Sequence, residues 1–197
     1  MRPARKLKKV GVSEMLSLDI VNTMAFDGVG PSNTCAKISK EIGKLHVDYS
    51  IYCTRYRIND NIKIISPYNN VGKYLSYKYT RDFLEKKILQ ILIKNKKTDY
   101  VYIWPSCSLK AFRELRKNYK NVILETINFY TEEEKMIIDS EMDRDNFHYT
   151  HYVTKDKIEA QKEMLESSDL IFSSNSEALN SYLKYGYRKD KFKKTMF

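Results

Sequence analysis

Short apolar runs alternate with helix-period segments along most of the chain, and that alternation limits the folds open to it. DIVNTMAF (19–26) has the length and composition of a buried strand. Cys35, Ile38, Ile42 and Leu45 then recur at helical spacing, which predicts a helix over 32–45. YSIYCT (49–54) and NIKIISP (61–67) read as strands, the second stopped by Pro67. Leu84, Ile88, Ile91 and Leu92 mark the core face of a long helix over 72–95. DYVYIW (99–104) is a strand cut by Pro105, and Leu109, Phe112, Leu115 and Tyr119 place a helix over 107–119. NVILETI (121–127) is a strand, followed by a polar helical stretch from Thr131. A helix over 155–167, the strand DLIFSS (169–174) and a helix from Ser176 complete the series.

Strands separated by helices are βαβ units, and such units build a mainly parallel sheet. Parallel strands are buried on both faces, so their runs are continuously apolar rather than alternating. The expected architecture is α/β: a single domain with one open, doubly wound sheet of about six strands. Residues 128–156, mixing acidic helix and aromatic loop, read as an excursion between two core strands. Thr131 and Glu134 have the spacing of a helix-capping box, and Gly186 that of a helix stop.

Composition narrows the class. The chain has 197 residues, 42% of them hydrophobic, enough for an ordinary core. No apolar run reaches the roughly 18 residues a membrane helix needs, and no secretory signal is visible. Three cysteines without a CxxC argue for buried thiols and a cytoplasmic setting. The formal net charge is +10, which favours polyanions, anionic membrane surfaces or anionic substrates. Basic residues concentrate in MRPARKLKK (1–9), in EKKILQILIKNKK and in YRKDKFKK. The first 16 residues read as a basic extension ahead of a domain over 17–197.

Ligands of doubly wound sheets bind at the carboxyl ends of the strands. Those ends gather Asp27–Ser32, Thr54–Arg57, Pro105–Cys107, Asn128–Thr131 and Ser173–Ser176, with Trp104 beside them. In the first of these loops Gly28 and Gly30 permit positive φ and close approach, and Pro31 suits a first helical turn. Helix N-terminal amides make an anion site there, or the loop is a plain turn with a capped helix. It is neither GxGxxG nor a P-loop, since Asn33 replaces the third glycine and no Walker lysine follows. His148 and His151 form an H-x-x-H without cysteine partners, so no metal site is expected. The 16 tyrosines, some interleaved with lysine, suit either half-buried helix surface or stacking on bases.

Three segments together resemble family 4 glycosyltransferases. FDGVGPSNTCAKISKEIGK followed by VDYSIYCT is similar to their glycine loop, first helix and second strand. DYVYIWPSCSLKAFRELRKNYKNVILETIN resembles the next strand–helix–strand unit. KDKIEAQKEMLESSDLIFSSNSEALNSYLKYGYRKDKF resembles a helix, an acidic residue before a strand (Asp169), a polar cap at Ser176-Glu177-Ala178-Leu179, and an exit from Gly186 to Lys191. The resemblance implies the Rossmann-like, acceptor-side half of a GT-B fold, ending at the interdomain linker. It implies transfer of a sugar, with retention, from a nucleotide-sugar donor to a glycan or lipid-linked acceptor in polysaccharide biosynthesis. The donor is a substrate, and neither cofactor nor metal is implied. Gly28, Val29, Gly30, Pro31 and Ser32 would face the donor diphosphate. Trp104, Pro105, Ser106, Ser174, Asn175 and Ser176 would line the acceptor side, and Asn128 would stand where the family often has a catalytic histidine. The second Rossmann domain would be supplied in cis or in trans, so this hexosyltransferase half alone would be weakly active or inactive. The resemblance places it in the cytoplasm, peripheral to the anionic inner membrane face, with nucleic acid not an expected partner. The competing reading from charge and tyrosines is a non-catalytic Rossmann-like module that binds a nucleotide or nucleic acid.

Overall fold

The computed structural model describes residues 16–57, 62–67, 77–146 and 152–195. The basic opening segment, the first residues of the helix expected from 72, His148 and His151 lie outside the described residues. The described chain forms β1 (Ser17–Phe26), α1 (Pro31–Lys44), β2 (Asp48–Tyr56), β3 (Ile64–Ile65), α2 (Tyr77–Lys94) and β4 (Tyr100–Ile103). It continues through α3 (Leu109–Asn118), β5 (Asn121–Thr126), α4 (Thr131–Arg144), α5 (Lys155–Ser167), β6 (Leu170–Ser173), α6 (Ser176–Lys184) and β7 (Phe192–Lys194).

The seven strands form one sheet in the order β3-β2-β1-β4-β5-β6-β7, and every neighbouring pair is parallel. This is the doubly wound, Rossmann-like α/β fold, with chain direction across the sheet reversing between β1 and β4. The strand beyond the expected six is β7. Its run Phe-Lys-Lys buries Phe192 and exposes both lysines, so it gives no apolar signal in the sequence. NIKIISP contributes only a two-residue strand.

Two apolar cores flank the sheet. On one face Leu18, Ile20, Ile51, Cys53, Tyr102 and Trp104 pack with Cys35 and Ala36 of α1. On the other, Val21, Tyr52, Val101, Ile103, Val122, Leu124 and Ile171 meet Ile88 and Leu92 of α2, Phe112 and Leu115 of α3, Leu165 of α5 and Tyr182 of α6. All three cysteines are buried free thiols, as apolar surroundings favour. No helix among the described residues is long and apolar enough to cross a membrane.

The expected capping box at Thr131 and Glu134 does not form. Tyr130 holds the cap position and no side chain within the segment caps the helix. The Tyr130 amide instead donates to Ser181 Oγ (2.8 Å), and the Thr131 amide to Gln161 Oε1 (2.7 Å). Gln161 of α5 therefore takes the Thr131 amide that the box would have given to Glu134, and Ser181 of α6 holds the residue before it. α4 itself buries no residue and leaves Met136 and Ile137 exposed.

Candidate ligand site at the carboxyl edge of the sheet

The edge is organised around the gap between β1 and β4. Register slips in β1 between Asn22 and Ala25. There Asn22 Oδ1 accepts the Met24 amide and the Ser106 hydroxyl, both at 3.2 Å. Thr23 Oγ1 donates to the Ser106 carbonyl at 2.7 Å, and the Arg81 guanidinium reaches the same oxygen at 3.1 Å. Ser106 thus ties the loop after β4 to the end of β1. Trp104, one residue past β4, is 1% exposed and packs against Tyr102 with ring centroids 5.8 Å apart. It lies beneath the edge rather than on its surface.

The glycine loop bends as its residue types require. Gly28 has φ +83° and Gly30 φ +53°, values that side chains disfavour. Pro31 opens α1. Four amides of the loop are engaged within it: Gly28 to Ser32 Oγ, Val29 to Asp27 Oδ1, and Asn33 and Thr34 to the Gly30 carbonyl. The Ser32 hydroxyl also donates within bonding distance of Asp27 Oδ1 (2.9 Å) and the Val29 carbonyl (2.8 Å). Partial burial pushes the Asp27 carboxyl up, but bonds from Ser32 and Val29, with the Arg55 charge, hold it below its ordinary value. A carboxylate therefore already sits at the positive end of α1.

Asp27, Val29, Gly30, Ser32, Met24 and Arg55 line a cleft of about 330 Å³. Arg55, near the end of β2, was not singled out from the sequence. The cue was present in CTRYR, where two arginines close an otherwise apolar strand. Nothing lies within 4 Å of where a Gly30 Cβ would stand, so the loop faces open space at that residue.

A second cleft of about 230 Å³ lies at the ends of β5 and β6, lined by Ile127, Asn128, Phe129, Glu134, Asn175 and Ala178. Asn175 caps α6 by accepting the Ala178 amide at 2.7 Å. Ser174 Oγ donates to the Ile127 carbonyl (3.1 Å), and Lys194 Nζ donates to Ser176 Oγ (2.8 Å). The candidate residues thus divide: the glycine loop joins Arg55 in one cleft, while Asn128 joins Asn175 in another. Pro105 and Ser106 sit in the loop between them.

Below the edge, Glu125 of β5 is 1% exposed and accepts the Tyr102 hydroxyl. Its Oε1, like the Trp104 indole nitrogen, is buried with no hydrogen-bond partner among the described residues. Burial pushes the Glu125 carboxyl up to about 7, against the lowering effect of Tyr102. The loop after β4 has its own carboxylate. Glu85 of α2 accepts the Ser108 amide (2.9 Å) and hydroxyl (2.5 Å) at the start of α3. Among the described residues no group of three or more His, Cys, Asp or Glu side chains could hold a metal ion.

No family model matches the chain, and no curated protein matches it. A solved structure similar to it is a phosphomethylpyrimidine kinase from Clostridium difficile 630, at 12% identity and a TM-score of 0.34, covering 90% of this chain and 94% of that one. At that score the likeness carries no argument about activity.

The expected membership of the family 4 glycosyltransferases is therefore corrected. No family model supports it. Hexosyl transfer and a place in polysaccharide biosynthesis, both implied by the resemblance, fall with it. The physical reason lies in the residues that carried the likeness, each of which has a general βα role. Asp169 accepts the Val122 amide (2.8 Å) and pairs with Arg116 (2.5 Å) to fix the start of β6 beside β5. Asn175 caps α6, and Gly186 ends its last turn at φ +84°. Lys191 Nζ donates to the Glu166 and Ser168 carbonyls at the end of α5. Any parallel sheet must start its strands and stop its helices by such means, so the pattern reports the fold and not a family.

Proposed function

We propose that this chain is a ligand-binding domain that takes a phosphorylated sugar or nucleotide in the cleft between the glycine loop and the end of β2. The observation that carries the reading is Arg55 lining one cleft with the loop, beside the reversal point of a doubly wound sheet. Arg55 supplies the charge for a phosphate, and guanidinium–phosphate contacts are among the stronger hydrogen bonds. The open Gly30 backbone gives room for close approach. Asp27 repels a bare anion but accepts hydroxyl protons, which favours a ligand carrying both phosphate and sugar hydroxyls. The cleft is near the lower end of the usual range for small-molecule sites, which suits one sugar phosphate better than a dinucleotide.

Calorimetric titration with ribose 5-phosphate, AMP and inorganic phosphate tests this. The two organic phosphates should bind more tightly than the inorganic ion, and Arg55→Ala should weaken them by about tenfold or more. No binding by either organic phosphate, or unaltered binding to Arg55→Ala, rules the reading out.

A further inference from the structure

We propose that the opposite, amino edge of the sheet carries a second ligand site, built for a small zwitterion of the free amino-acid class. β1, β2 and β3 enclose a cleft of about 180 Å³ there, lined among others by Asp19, Asp48, Ser50, Tyr52, Lys63 and Lys97. That is roughly six water volumes, the scale of one small amino acid.

The floor is polar where a central strand would ordinarily be apolar. Asp19 stands between Leu18 and Ile20 in β1 and is 5% exposed. Register places it directly beside Ser50 of β2, itself buried, with Tyr52 two residues further on the same face. A carboxylate taken out of water there costs several kcal/mol unless it is paired. Its one hydrogen bond among the described residues comes from the Tyr119 hydroxyl to Oδ2, at 2.7 Å. A carboxylate has about four acceptor positions, and Asp19 is among the residues that line the cleft. Burial raises the Asp19 carboxyl, against the lowering effects of Tyr119, Lys63 and Lys96.

The rim adds both signs of charge. Asp48, Lys63 and Lys97 are exposed at the mouth. An ammonium group fits Asp19 and the Ser50 and Tyr52 hydroxyls, while a carboxylate fits the two lysines. Neither a simple cation nor a simple anion uses both sets. This cleft lies about 25 Å along β1 from Asp27, so it is separate from the carboxyl-edge cleft.

The test is calorimetric titration of the full chain with the common free amino acids one at a time, and with methylammonium and acetate as half-ligands. At least one amino acid should bind with saturable heat, and neither half-ligand should match it. Lys97→Ala and Ser50→Ala should each weaken that binding by about tenfold, and Asp19→Asn should abolish it. Because Asp19→Asn alters a buried charge, the decision rests on Lys97→Ala and Ser50→Ala, whose melting should stay near that of the parent. Arg55→Ala should leave the titration unchanged. The proposal is overturned if no amino acid binds at millimolar concentration, if acetate binds as tightly as the amino acid, or if both deciding variants bind like the parent.

Discussion

Among the described residues three carboxylates are buried, Asp19, Glu85 and Glu125, and each is held differently. Glu85 has two donors from Ser108, Asp19 has Tyr119, and Glu125 has Tyr102 with its second oxygen unmatched. Glu125 gives the clearest pH signature. Its folded value is raised from 4.5 to about 7, so between those values the native state holds a proton that the unfolded chain has released. Stability conferred by this group is present below pH 4.5, falls as pH rises to about 7, and is flat above. The loss across that window is on the order of 3 kcal/mol. Glu125→Gln, which stays neutral, should remove that slope and be the more stable protein at pH 8. Urea midpoints measured across the window decide it, and parallel slopes for parent and variant would falsify the assignment.

At the scale of elements, caps show where stability is concentrated. Ser108 caps α3 by accepting the Ala111 amide at 3.1 Å while donating to Glu85. Ser108→Ala removes both bonds and leaves the Glu85 oxygen short of a donor in a buried place. A cost on the order of 2 kcal/mol is expected in equilibrium unfolding. A cost within about 0.5 kcal/mol, typical of an exposed surface change, would mean that the hydroxyl is dispensable. The elements that could be read from sequence share one property: their signal is local. The apolar run 19–26 lies within β1, the periodicity from Cys35 to Ile42 lies within α1, and Pro67 and Pro105 end strands by their own geometry. What could not be read depends on distant partners. The cap of α4 comes from Gln161 and Ser181, and β7 is a strand only because β6 offers it an edge. The candidate site divides in the same way. The turn at Gly28 and Gly30 was legible, but Arg55 enters it through the pairing of β2 with β1. The likeness built on Asp169 and Gly186 misled because those residues mark strand starts and helix stops wherever they occur.

Across the whole molecule the helices are unequally shared. Among the described residues α1 alone contributes to the core on one face, while α2, α3, α5 and α6 contribute to the other. Right-handed crossovers account for this, since every connection running from β3 toward β7 must pass over the same side. The interior place of β1 has a consequence in time as well as in space. β1 is made first, yet it hydrogen-bonds to β4, whose paired residues are Val101, Tyr102 and Ile103. Contacts so far apart in sequence carry a loop-closure cost before they give any return. On the ribosome, β1 must therefore wait until Val101, Tyr102 and Ile103 emerge before its second neighbour exists. Nascent chains stalled before residue 100 should be cut readily by protease, and resistance should rise only once β4 and β5 have cleared the exit tunnel. Early resistance in the shorter chains would show that β1, α1 and β2 fold unaided. The order of birth and the order of assembly run differently here, and a strand that ends inside the sheet spends its first moments as an exposed edge.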